Sequence, residues 1–323
     1  MADLQVSTHI FKVVDGLSLS IDISKPPNAP KNGIVLIHFH GGFLVLGEKT
    51  TFPPHWLINA CHARGWTYAT PSYRLLPEST GLDILSDTLG AVNWVRQNIS
   101  DRVIIAGSSA GGYLALATAA HPSCPKPLAV LSVYGMLDPA SDRYIRPGQA
   151  LVNPVENLSI KLQEIDAATK YGQVLDRYPF PATRATDTRH KWIRALHEAA
   201  RYPDVLTRTP ALAEQIIDNG VSVIPEEFRP LFPLSFGLKE EFPPTVLLHG
   251  DGDVLVGFEQ SAAAAEKMVS IGIDVHLERV PGQGHGFDAK TFIDLDAGDA
   301  QGDDVGMKDS LRRVIKALEK AYI

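Results

Sequence analysis

The chain has 323 residues, 45% hydrophobic and 21% charged, which is the make-up of a globular protein with one large core or two smaller ones. Its 30 lysines and arginines against 37 acids give a formal charge of −7, which disfavours a general nucleic-acid binder or a protein of anionic membranes. Two cysteines, Cys61 and Cys124, exclude a disulfide framework, and no metal-ligand cluster gathers around them.

The opening residues Met1–Ser7 lack a basic stretch followed by an apolar one, and no apolar run reaches bilayer length. A cytoplasmic location and no membrane span are the expectations. Leu17, Leu19, Ile21 and Ile23 then alternate with Ser18, Ser20, Asp22 and Ser24. With Asp15-Gly16 as turn residues, this segment pairs with His9–Val14 as a hairpin solvated on one face.

The next strands read differently. Ile34–Ile37, Val103–Ala106, Leu128–Leu131 and Val246–Leu248 are short unbroken apolar runs, suited to strands covered on both faces. Helical stripes lie between and after them. Leu85, Leu89, Val92, Val95 and Ile99 form one, and Met307, Leu311, Val314, Leu318 and Tyr322 another. Alternating strands and helices predict an α/β fold with a doubly wound, mostly parallel sheet.

Between Tyr134 and Phe242 no buried strand is legible. Helical stretches at Arg189–Arg201 and Ala211–Asn219, broken by prolines, predict a helical lid or cap over residues 134–242. The core then comprises 1–133 and 243–323. From Thr291 to Met307, Asp294, Asp296, Asp299, Asp303 and Asp304 occur without a base, as in a solvated loop rather than a calcium loop.

Four segments carry chemistry. Gly107-Ser108-Ser109-Ala110-Gly111 follows a buried strand and opens a helix. In that setting G-x-S-x-G makes a strained turn that raises the Ser109 Oγ above the sheet. Gly107 and Gly111 sit where a side chain would collide with a neighbouring element. A packing turn or a phosphate loop has a similar glycine pattern, but no lysine follows as a P-loop requires. Upstream, His38-Phe39-His40-Gly41-Gly42-Phe43 ends a strand in a glycine turn whose freed N–H groups can meet an oxyanion, together with that of Ala110. His40, beside Gly41, reads as a brace for this loop. Downstream, His249-Gly250-Asp251-Gly252-Asp253 places acids at a strand end, and Gly284-His285-Gly286 places a histidine in a later loop. The chain order is serine, acid, histidine.

These motifs resemble those of the α/β-hydrolase superfamily, in particular the HGG-type esterases related to hormone-sensitive lipase. Tyr73-Arg74-Leu75-Leu76-Pro77-Glu78 is similar to a further segment of that group. The resemblance implies Ser109 as nucleophile, His285 as base and Asp253 as acid, with Gly42, Phe43 and Ala110 forming the oxyanion hole. Three departures stand out. Phe43 replaces a third glycine, so its ring is expected to narrow the acyl pocket. Ser108 replaces an aspartate. The acid segment is similar to H-G-x-x-D of dienelactone-hydrolase-like members, which favours Asp253 over Asp251. The expected activity is cleavage of a small-molecule carboxylic ester, lactone or thioester with no metal or organic cofactor. Alternatives are a cyclase, condensing enzyme or acyltransferase of specialised metabolism, and a ligand receptor with vestigial catalysis. The oligomeric state is not legible.

Overall fold

The N-terminal hairpin forms around a turn in which both Asp15 and Gly16 have positive φ, the geometry that joins two antiparallel strands with their native twist. It links β1 (Gln5–Val14) to β2 (Leu17–Lys25), with a register shift between Ile10 and Lys12. Leu19, Ile21 and Ile23 of β2 are buried, whereas Val6, Ile10 and Val13 of β1 stand exposed at the sheet edge. This computed structural model describes residues 5–151, 153–289, 293–296 and 305–322.

The remaining strands are β3 (Val35–Phe39), β4 (Thr67–Pro71), β5 (Val103–Ser108), β6 (Ala129–Val133), β7 (Thr245–Gly250) and β8 (Val275–Val280). They form one sheet in the order β1-β2-β4-β3-β5-β6-β7-β8. Only the β1–β2 and β2–β4 pairs are antiparallel. The unbroken apolar runs are explained by the two faces. Val35, Ile37 and Phe39 join one core, and Leu36, between them, joins the other. Each face must be covered, so every position is apolar.

On the first face pack α2 (Gly81–Asn98), α3 (Ala110–Ala120) and α9 (Glu259–Ser270). On the second lie α1 (His55–Ala63) and α10 (Val305–Lys320), whose Met307, Leu311, Val314 and Leu318 are buried. The α2 helix begins with a full capping box. Thr80 accepts from the Asp83 amide, and the Asp83 carboxylate accepts from the Thr80 amide.

Between β6 and β7 the chain forms α4 (Asp142–Ile145), α5 (Leu158–Tyr171), α6 (Thr188–Glu198), α7 (Tyr202–Thr207) and α8 (Leu212–Asn219), followed by short 3-10 and π turns. Trp192, Ile193 and Leu196 of α6 pack into the first core. A buried ion pair and its neighbouring hydrogen bonds fasten this segment to the loops after β3 and β4. Arg189 Nη2 meets Glu78 at 2.6 Å, while Arg189 Nη1 donates to the Val45 and Leu76 carbonyls. The sole β contact of the segment among the described residues is a bridge between Gly47 and Tyr178.

Of the acidic stretch near the C-terminus, Asp299, Asp303 and Asp304 lie outside the described residues. Its described part is not wholly solvated, since Ile293 and Leu295 tuck into the second core while Asp296 is exposed.

Candidate active site

Three strand ends converge at one edge of the parallel sheet. Ser109 follows β5, Asp253 lies beyond β7, and His285 lies in the loop after β8. At Ser109 the backbone adopts φ 57° and ψ −118°, a strained conformation for a residue with a side chain. The turn is tight because Gly107 and Gly111 permit it. A Cβ on Gly107 would overlap the Gly111 carbonyl, and one on Gly111 would overlap the Phe39 carbonyl. Ser109 therefore stands at the N-terminus of α3 with its hydroxyl uncommitted to capping.

His285 Nε2 lies 3.0 Å from Ser109 Oγ, and His285 Nδ1 lies 2.6 Å from Asp253 Oδ2. With Nδ1 donating to the carboxylate, Nε2 is the acceptor that faces the serine hydroxyl. Asp253 is nearly buried. Its Oδ1 accepts from the amides of Leu255 and Val256, and its Oδ2 also faces His249 Nε2 at 3.3 Å. Burial alone raises a carboxyl pKa. Here the hydrogen bonds from His249 and His285, with the charge of His285 and the Val256 amide, outweigh it and hold Asp253 well below the usual carboxylate range. Asp251, two residues earlier, points elsewhere. It pairs with Arg279 at 2.8 Å and accepts from the Gly282 amide.

The loop after β3 lies against the serine. A Cβ on Gly41 would come within 3.1 Å of Ser109 Cβ. Gly42 has φ 120°, and Phe43 and Leu44 are also left-handed, so consecutive peptides are turned out of the strand. Among the described residues the N–H groups of Gly42, Phe43 and Ala110 donate to no protein acceptor. His40 holds this loop. Its Nδ1 donates to the Gly41 carbonyl at 2.8 Å, its ring stacks on Tyr73 at 4.2 Å, and the Tyr73 hydroxyl donates to the His40 carbonyl. Burial pushes the His40 pKa down to about 4, only partly offset by the Gly41 carbonyl, so the ring is neutral at pH 7.

Serine and histidine open into a cavity of about 560 Å³. Leu151, Phe180 and Ile193, all from the segment between β6 and β7, line it together with Phe43. The Phe43 ring is not free in the cavity. It packs edge-on against His197 at 4.8 Å and leans on Tyr202.

Sequence reasoning missed several partners. His38 Nε2 bonds to Ser108 Oγ at 2.9 Å, which gives Ser108 a role in the strand–helix turn. Burial, reinforced by His40, pushes the His38 pKa down to about 3. Tyr134 lays its ring 4.6 Å from that of His285 and donates to Asp288 at 2.6 Å, and Trp56 Nε1 donates to the other Asp288 oxygen at 2.8 Å. Asp288 is thus a buried tie that fixes the histidine loop against α1 and β6. The clue lay in the sequence as Gly286-Phe287-Asp288, but nothing there marked this acid as buried.

A family model described as the alpha/beta hydrolase fold matches residues 36–289. The chain belongs to the α/β hydrolase family. Its relatives include a non-reducing polyketide synthase of Emericella nidulans, 24% identical over 336 residues, which cover 90% of this chain but 13% of the synthase. Esterase LipC of Mycobacterium tuberculosis is 25% identical, over 83% of this chain and 57% of LipC. The chain therefore spans a small fraction of the synthases it matches and a little over half of LipC. Among solved structures, esterase 2 of Thermogutta terrifontis with propionate bound superposes with TM-score 0.60 at 19% identity, covering all of this chain and 96% of the other. A bacterial heroin esterase gives TM-score 0.64 at 19% identity, covering all of this chain and 86% of the other. At this identity the two structures speak to the fold of the α/β hydrolase. Among the described residues, no helix is long and apolar enough to cross a membrane.

Proposed function

We propose that this α/β hydrolase is a serine hydrolase that cleaves a carboxylic ester through an acyl-enzyme on Ser109. The observation that carries the reading is the unbroken chain Ser109 Oγ–His285 Nε2–His285 Nδ1–Asp253 Oδ2, with contacts of 3.0 and 2.6 Å, opening on an apolar cavity. His285 takes the hydroxyl proton as Oγ attacks the substrate carbonyl, then passes it to the departing alkoxide. Asp253 fixes the tautomer of His285 and stabilises its protonated form. The oxyanion is met by the N–H groups of Gly42, Phe43 and Ala110, the last also lying at the positive end of the α3 dipole. Water, activated by the same histidine, then releases the acid and restores Ser109.

In this reading residues 134–242 act as the lid, because Leu151, Phe180 and Ile193 give the cavity its apolar wall. The similarity to a polyketide synthase prompts a second reading in which the acyl group arrives as a thioester. The chemistry at Ser109 is then the same, with a thiolate leaving in place of an alkoxide. A panel of p-nitrophenyl esters beside matched thioesters tests both. Turnover of either class that disappears in Ser109→Ala supports the serine reading, and turnover that persists in that variant overturns it.

A further inference from the structure

The cavity wall carries a charge pattern that ester cleavage alone does not explain. Arg184, His190 and Arg194 line the same cavity as Ser109 and His285, and among the described residues no aspartate or glutamate lines it. On a chain with formal charge −7 this is a local reversal of sign. His190, Ile193 and Arg194 sit within one turn of α6, so their side chains share a helix face.

Neither arginine is used up by the fold. The Arg184 side chain is exposed, its guanidinium lies 5.8 Å over the Phe180 ring, and among the described residues it has no carboxylate partner. Arg194 gives one terminal nitrogen, Nη2, to the carbonyls of Asn153 and Pro154, which leaves Nη1 without a partner among the described residues. The acid nearest Arg184 in sequence, Asp187, is committed elsewhere. Its two oxygens accept from the His190 amide and the Tyr178 hydroxyl. Glu198, one turn beyond Arg194, accepts from the Val155 amide. Burial, then the charges of Arg184 and Arg194, lower the pKa of His190 despite Asp187, so both guanidinium groups act on one locale. Contrast Arg189 and Arg74, each paired with a buried or partly buried carboxylate.

We propose that Arg184 and Arg194 form a subsite for an anionic group on the substrate, a carboxylate or a phosphate monoester, so that the enzyme selects acyl compounds bearing a negative charge. The inference rests on the serine hydrolase reading for its placement beside the reacting carbonyl. Guanidinium forks suit both oxyanions through paired N–H donors, and the partly closed cavity reduces screening of the attraction. Phe180, beneath Arg184, and Ile193, beside Arg194, supply the apolar surface for the acyl stem.

Binding to Ser109→Ala protein separates this subsite from catalysis. One arm compares mono-p-nitrophenyl glutarate with its methyl ester. The other compares S-butyryl phosphopantetheine with S-butyryl pantetheine. The charged member of at least one pair should bind tighter by about tenfold, the scale of one charge-assisted hydrogen bond. That preference should shrink as salt rises and fall to near unity when Arg184→Gln and Arg194→Gln are added. The arm that responds identifies the carboxylate or the phosphate. Arg184→Gln alone, at an exposed position, and Arg194→Lys, which keeps the charge, guard against loss of folding, and each should keep part of the preference. Equal affinities within both pairs, or a preference undiminished in the double substitution, overturn the subsite. Failure of the parent enzyme to release p-nitrophenol from a glutarate ester that it binds would count against the hydrolase reading and leave the subsite standing.

Discussion

His249 Nε2 stands 3.3 Å from the same Asp253 oxygen that meets His285, with His249 Nδ1 held by Ser261 Oγ at 2.8 Å. The carbonyl of Val256, 2.9 Å from Nε2, accepts the same proton, so that nitrogen is a donor and Ser261 donates to Nδ1. His249 is fully buried. In the proposed mechanism it is a positioning residue that turns the carboxylate toward His285.

His249→Leu removes this donor and should lower kcat by about tenfold with little change in KM, since a buried carboxylate loses one charge-assisted hydrogen bond. His249→Gln, whose amide can reach the Nε2 position, should recover part of the loss. Equal kinetics for the two variants, in steady-state assays on one ester, would show that His249 only fills space.

Ionised Asp253 should stabilise the fold, and the pH dependence has a definite sign. Its pKa in the folded protein lies below the unfolded value of about 3.9, so its contribution is fully present above that pH and drains away as pH falls toward the folded value. Asp253→Asn lacks this dependence. The gap in melting temperature between parent and Asp253→Asn should hold from pH 7 down to about 4 and narrow as pH is lowered further, toward about 2. A gap that widens on acidification contradicts the assignment of a depressed pKa.

Asp253→Asn should also abolish most ester turnover by favouring the wrong histidine tautomer, while Asp251→Asn, which disturbs a surface pair with Arg279, should leave most of it. Kinetics of the two variants on one substrate decide the matter. The opposite ranking would mean that the acid was chosen wrongly.

Arg189→Leu should be costly for a reason unrelated to chemistry. It strands the buried Glu78 carboxylate and two carbonyls, and removing one member of a buried pair costs about 3–5 kcal/mol. Chemical denaturation should show this loss, and a change under about 1 kcal/mol would mean that the pair is effectively solvated.

The strained turn gives a stability prediction of its own. Ser109→Gly should be at least as stable as Ser109→Ala, against the usual order, because glycine tolerates φ 57° and ψ −118° whereas alanine does not. Thermal melts of the two inactive variants test it. A clearly more stable alanine variant would mean that the turn is relaxed.

The fold was legible where periodicity is unambiguous. The unbroken runs at Val103–Ala106 and Val246–Leu248 suited strands buried on both faces, the stripe of α10 suited an amphipathic helix, and the structure has both. The serine turn was legible because small residues at fixed offsets have a steric cause, seen in the close approaches at Gly107 and Gly111. What stayed hidden depends on contacts distant in sequence. Asp288 meets Trp56 across 232 positions, and Glu78 meets Arg189 across 111. No local pattern announces such pairs. Phe43 shows the same limit: its ring was expected to narrow the acyl pocket and it does line the cavity, but its packing against His197 and Tyr202 had no local signal.

The central claim is that Ser109 becomes covalently acylated with the help of His285. Intact-protein mass spectrometry after exposure to a fluorophosphonate, followed by peptide mapping, addresses it directly. The account predicts a single adduct on Ser109, formed on the order of 10⁴-fold or more slowly in His285→Ala and absent in Ser109→Ala. An adduct on another residue, or an unlabelled enzyme that still hydrolyses esters in the presence of the probe, would contradict it.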